Sequence, residues 1–282
     1  MDPIPAITNA SSCSCKDPEP PPIVTLPSFG FPGDSPPSLY GTGTPDVLKV
    51  IKILENAGIC CCLVGVSALK YYGAERVRHD WEVCVPTDLL KKASQIFESE
   101  PHSQVYQAFP DETPQLGCLY HTFPRFKIRG VTLYFVIIPA EDAYLKCVPS
   151  NIERSQMGLP YPTLPVFAQS LLDTDSEVAL TDLIDGMNLT EEWGLKHLNL
   201  DGTNDVVWAF RKNEKIRSSV PLTDYSCLLE LATHATSKME TWKRIVGTKE
   251  NRIGFELPKE YYASRFYAKT SGDPRLEKRI YV

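Results

Sequence analysis

The stretch Leu63-Val64-Gly65-Val66-Ser67-Ala68-Leu69, followed by Arg76-Val77-Arg78-His79-Asp80-Trp81-Glu82-Val83, decides how this chain is read. It predicts a buried strand, a glycine turn, a short helix and a second strand carrying two carboxylates. Alternate side chains of a strand share a face, so Asp80 and Glu82 project together and Trp81 projects oppositely. Paired carboxylates at a strand end suit an oxygen-ligated divalent cation such as Mg²⁺ beside substrate phosphates. A glycine turn ahead of a helix presents free backbone N–H groups, which suit an anion.

The neighbouring sequence fills in the elements around this unit. Thr44-Pro45-Asp46 predicts a helix start, with Thr44 as N-cap and proline in the first turn. Val47, Leu48, Val50, Ile51 and Leu54 give that helix an apolar face, and Gly58 ends it. Ile59 to Val64 is a continuous apolar run, as a central strand requires. Ser67 to Tyr72 reads as the short helix, closed by Gly73. Trp81 to Val85 reads as the acidic strand, and Thr87-Asp88 caps a helix over Leu89 to Glu98. Residues 101–128 predict a hairpin or meander, and Val131 to Ile138 a further core strand.

This succession resembles the nucleotidyltransferase fold superfamily, which includes DNA polymerase beta, the antibiotic nucleotidyltransferases and the CCA-adding enzymes. Gly65 fits the family's first glycine, and Asp80 and Glu82 fit its carboxylate pair. Tyr72-Gly73 and Arg76 match a Tyr-Gly turn and an arginine ahead of the acidic strand. The resemblance covers roughly residues 46 to 200. It implies an α/β (α+β) fold: a nucleotidyltransferase-like mixed sheet core flanked by helices, followed by a helical C-terminal part. It also implies catalysis by Asp80 and Glu82 with Mg²⁺ between them. Gly65, Ser67, Arg76, Arg78, Lys127 and Arg129 are the expected substrate-binding residues. Arg125, Lys127 and Arg129 alternate, and so would share a strand face. Two positions depart from the family pattern. Val66 stands where a second small residue is usual. The strand over 131–138 carries no acid, which leaves Asp111, Glu112, Glu141 and Asp142 as candidates for a third carboxylate.

The domain expectation is a Pro-rich tail or arm over 1–44, a core over 45–158 and a helical region over 159–282. Eleven prolines up to Pro45 keep the first segment from burying enough apolar surface to order itself. Past the linker 159–165, helices are expected at Val166 to Leu172, Glu177 to Met187 and Thr190 to His197, with another over Leu222 to Met239. Tyr261, Tyr262, Arg265, Phe266, Tyr267 and Lys269 mix rings with cations, which suits either nucleic-acid stacking or core packing.

Composition narrows the function classes. No apolar run approaches the ~20 residues of a membrane helix, and the N-terminus lacks a signal-peptide pattern. A cytoplasmic protein without a membrane partner is therefore expected. Nine cysteines without any paired C-x-x-C spacing fit free buried thiols in a reducing compartment. Alternation splits Cys60-Cys61-Cys62 between two faces, and Cys84 shares the face of Asp80 and Glu82. Charge is uneven. Residues 211–282 carry 15 Lys and Arg against 9 Asp and Glu, within a chain of net charge −6. Such asymmetry marks either a polyanion-facing surface or two docking parts.

The leading functional expectation is a transferase handling a nucleotide or nucleotide-bearing substrate with a divalent metal. The alternative is the same fold turned to other work. One version is an aminoacyl-tRNA-dependent enzyme of specialised metabolism, such as a fungal arginine-containing cyclodipeptide synthase, since the chain resembles fungal members of the superfamily. The other is a non-catalytic binding module. Nucleotide and tRNA are the corresponding partners.

Overall fold

A computed structural model describes residues 43–74, 76–110, 113–220, 229–252, 262–264, 267–269 and 273–276. Its centre is a five-stranded mixed sheet. In chain order the strands are β1 (Cys62–Leu63), β2 (Trp81–Val85), β3 (Tyr106–Ala108), β4 (Arg125–Ile128) and β5 (Tyr134–Pro139), and in space they run β1-β2-β5-β4-β3. β2 and β5 are parallel, and the other neighbours are antiparallel. All five residues of β2 are buried, as a central strand covered on both faces requires.

One face of the sheet carries the main core. Helix α1 (Thr44–Asn56) buries Val47, Val50, Ile51 and Leu54 there. Helix α3 (Leu90–Glu98) adds Phe97, whose ring packs within 5.1–5.4 Å of Tyr106, Phe126 and Phe135. Gly43, not Thr44, occupies the cap of α1, with φ of 73°. A Cβ at that position would lie 2.2 Å from the Leu133 side chain. Close packing onto the sheet therefore displaced the Thr44 cap that the sequence predicts. Gly58 follows α1 at φ 76°, as a helix stop requires.

The opposite face is smaller and holds Cys62, Val64, Cys84, Val136, Ile138, Ala140 and Cys147. The predicted split of the cysteine run is observed, because Cys61 lies in the main core and Cys62 on this second face.

Helix α2 (Gly65–Tyr71) links β1 to β2 and anchors the later helices. Tyr71 stacks on Tyr161 at 4.1 Å, and Tyr72 donates its hydroxyl to the Pro162 carbonyl at 2.6 Å. Those partners lie in a short ladder of β6 (Ile152–Arg154) and β7 (Pro160–Pro162). Beyond it run α4 (Leu164–Asp173), α5 (Glu177–Gly186) and α6 (Glu191–His197), close to the predicted bounds. α5 approaches α2 so closely that a Cβ on Gly186 would meet the Tyr72 carbonyl oxygen at 2.5 Å.

Two helices follow, α7 (Val206–Ser219) and α8 (Lys238–Gly247). The helix expected over Leu222 to Met239 is not formed at 229–236, which run as irregular chain; residues 221–228 lie outside the described residues. Asn213 of α7 holds this segment instead, accepting from the Leu231 N–H at 2.7 Å and donating to its carbonyl at 2.9 Å. Satisfying the backbone through a side chain replaced the helical bonds that local pattern favoured. The C-terminal part also contains a ladder of β8 (Tyr262–Ser264) and β9 (Tyr267–Lys269). Expectations for residues 1–42, Asp111, Glu112, Tyr261, Arg265 and Phe266 lie outside the described residues. Among the described residues, no helix is long and apolar enough to cross a membrane.

α7 starts on a doubly used cap. Asp205 accepts from the Trp208 N–H at 2.9 Å and from the Tyr144 hydroxyl at 2.9 Å. Asp205→Ala is expected to cost about 0.5–2 kcal/mol, the range for a lost N-cap. Chemical denaturation of the variant against wild type measures it, and an unchanged midpoint would refute it.

Candidate functional site

Asp80 and Glu82 meet the smaller sheet face, and the register sets their neighbours. Glu82 sits beside Val136, and Val136 beside Arg125. Lys127 pairs with Tyr134 one step along the same face. The predicted alternation of the basic strand is therefore observed for Arg125 and Lys127, with Phe126 and Ile128 buried on the core side. Arg129 lies past the strand end and is exposed.

Arg125 reaches across to Asp80 with two hydrogen bonds, Nε to Oδ2 at 2.5 Å and a terminal nitrogen to Oδ1 at 2.9 Å. Side-chain exposures of 13% and 16% make this a largely desolvated fork-to-fork pair. The guanidinium also lies 4.3 Å from the Tyr134 ring centre and 5.5 Å from that of Phe109. Lys127 Nζ sits 5.6 Å and 5.9 Å from the same two rings. The result is a patch of two cations and two aromatic faces beside the carboxylates.

Glu82 has a different environment. Only 7% of it is exposed. Its Oε2 accepts from the Ser67 backbone N–H at 3.2 Å, and its Oε1 from the Tyr120 hydroxyl at 3.1 Å. Gly65 stands directly against it, at φ 55°, where a Cβ would lie 2.3 Å from Oε1. The glycine is thus needed both for its left-handed conformation and for the close approach. Burial pushes the Glu82 carboxyl up to about 7, against the opposing hydrogen bonds from Ser67, Tyr120 and Val66. The Tyr120 phenol is pushed up by burial and by the Glu82 charge. The buried Ser67 hydroxyl finds no hydrogen-bond partner.

The Glu82 carboxyl itself therefore fills the Gly65 turn. The sequence assigns that turn to a substrate phosphate and Glu82 to a metal. The donor set does not suit Mg²⁺ as arranged, because Asp80 gives both oxygens to Arg125 and Glu82 gives both to protein donors. Of the candidate third acids, Asp142 pairs with Lys212 at 3.1 Å and Glu141 with Lys215 at 3.1 Å. Both partners come from α7, which closes one side of this face. Trp208 Nε1 of α7 donates to the Glu141 carbonyl at 2.9 Å, and Ser219 meets His121 Nε2 at 3.0 Å.

The remaining expected site residues are drawn elsewhere. Arg76 pairs with Asp182 of α5 at 2.6 Å, fastening the helices to the core. Arg78 lies 3.3 Å over the Trp81 ring, whose side chain points to the opposite sheet face. His79 is exposed. Arg125, Tyr120, Phe109 and Tyr134 join the site beyond the residues that the sequence marks for it. Arg125 was visible as part of the alternating basic run, but its pairing with Asp80 was not. Tyr120 opens a single 3-10 turn over Tyr120–Thr122, and no sequence signal marks it.

No family model matches the chain, and no curated protein matches it. Among solved structures, the chain is similar to JHP933 from Helicobacter pylori at 15% identity and a TM-score of 0.32, over 74% of this chain and 91% of that one. A likeness of that degree carries no argument about fold or function.

Proposed function

We propose that the chain is a transferase of nucleotidyltransferase-like architecture whose chemistry is acid–base, with Glu82 as the proton-handling group. Its substrate class is a nucleotide-bearing acyl donor, of which aminoacyl-tRNA is the version tested first. The observation that carries this reading is the buried Glu82 carboxyl, hydrogen-bonded to Tyr120 and sharing a face with Arg125, Lys127, Phe109 and Tyr134. Cations interleaved with aromatic faces suit nucleotide phosphates and bases. A desolvated carboxylate suits taking the proton from an amine as its C–N bond to the acyl carbon forms, and returning that proton to the departing ribose oxygen as the acyl C–O bond breaks. Asp80 holds Arg125 in place by its bidentate pair and leaves proton transfer to Glu82.

The test incubates the full chain with a pool of charged tRNAs, with and without EDTA, and follows release of the amino acid. EDTA-resistant release is expected, reduced in Glu82→Gln by at least about 100-fold, the lower end of general acid–base contributions. Binding is expected to weaken steeply from low to moderate salt, as phosphate contacts require. Calorimetric titration of ATP with and without Mg²⁺ separates the alternative. Metal-dependent ATP binding abolished by Asp80→Ala would overturn this reading in favour of Mg²⁺-assisted nucleotidyl transfer. Absence of tRNA and nucleotide binding at low salt would overturn it in favour of a module without catalysis.

A further inference from the structure

Three cysteines that are far apart in sequence converge on the small sheet face. Cys62 opens β1, Cys84 lies across from it on β2, and Cys147 follows β5 in the connection toward β6. Their sulfur atoms all lie within 4.8 Å of one another, and all three residues are buried. The Cys62 and Cys147 sulfurs are 3.8 Å apart. Three sulfurs around one ion at a metal–sulfur distance of about 2.3 Å stand about 4.0 Å apart, so one sulfur pair is already close to ligand spacing. The walls are apolar: Val64, Val136, Ile138 and Ala140. Among the described residues, no His, Asp or Glu side chain joins the three sulfurs, and the Cys147 thiol also donates to the Cys84 carbonyl at 3.4 Å.

We propose that Cys62, Cys84 and Cys147 form a binding site for one Cu(I) ion. An all-thiolate donor set selects soft ions. Zinc in a structural site is almost always four-coordinate, whereas this cluster offers three sulfurs in a dry apolar setting. Cys60 is half-buried, neighbours Cys147 and stands outside the trio. It lines a surface cleft of about 280 Å³ together with Glu55 and Arg154, which form an ion pair. Each thiol that ligates releases its proton to solvent, and the copper stays in the same oxidation state throughout.

The experiment titrates Cu(I) into the reduced full chain under anaerobic conditions, against a chromogenic Cu(I) chelator. One copper per chain is expected to be withheld from the chelator. Cys147→Ser is expected to weaken retention by more than about 100-fold, since even outer-shell partners of a metal are worth about 10–100-fold. Cys118→Ser, outside the trio, is expected to leave it unchanged. Should Cys147→Ser fail to fold by circular dichroism, Cys62→Ala carries the same comparison, because it keeps an apolar wall. A wild type that yields all its copper to the chelator overturns the proposal. So does equal retention by the folded trio variant, or preferred retention of Zn²⁺ over Cu(I) in a parallel titration. Sulfur-only coordination by three ligands in X-ray absorption is the expected spectroscopic signature.

Discussion

Gly65→Ala is expected to destabilise the protein by about 3 kcal/mol or more. Two costs combine. The left-handed conformation at φ 55° costs an alanine about 1–2 kcal/mol. The new methyl also lands 2.3 Å from a carboxylate oxygen of Glu82, which is buried and held by Ser67 and Tyr120. Forcing a methyl group into a packed site adds about 1–3 kcal/mol. Gly58→Ala is the natural control. Gly58 has a similar φ of 76°, but a Cβ there meets nothing within 4 Å. That variant should therefore show the conformational cost alone, about 1–2 kcal/mol. Urea midpoints of the two variants measure the difference. Equal losses would mean that Glu82 does not fill the Gly65 turn.

Glu82→Gln is expected to change how stability depends on pH. The carboxyl is ordinary in the unfolded chain and pushed up by burial to about 7 in the folded one. Between about pH 4.5 and 7 the folded state therefore holds a proton that the unfolded state has lost. Stability contributed by this group is fully present below its unfolded pKa and is lost as pH rises through the folded value. At about 1.4 kcal/mol per unit, the wild type should lose roughly 3 kcal/mol across that window from this group. A glutamine keeps the shape and an acceptor for the Ser67 N–H without titrating. The difference in unfolding free energy between variant and wild type, followed from pH 4 to 8, should thus grow in favour of the variant. A flat difference would show that burial does not raise the Glu82 carboxyl above its unfolded value.

Both outcomes depend on a site only half legible in the sequence. Strand periodicity was enough to put Asp80, Glu82 and Cys84 on one face, and to separate Arg125 and Lys127 from Phe126 and Ile128. Glycine and proline punctuation was enough to bound α1, α2 and α4 to α6 within a few residues. These signals are local: they depend on side-chain direction within one element and on backbone freedom at one residue. The Leu222 to Met239 helix shows where local signals fail, because Asn213 offers residue 231 bonds from a distant helix.

The sequence by itself determined a mixed α/β chain with an acidic strand after a glycine turn, and the face on which its acids lie. Only the tertiary structure decided what those acids do. Strand order placed Arg125 across from Asp80, packing brought Tyr120 onto Glu82, and α5 drew Arg76 away to Asp182. The same order brought Cys62, Cys84 and Cys147 together although no metal-binding spacing links them. The physical reason is common to all four. A buried polar or sulfur group takes its properties from partners across the sheet, and sequence distance does not encode which strands become neighbours.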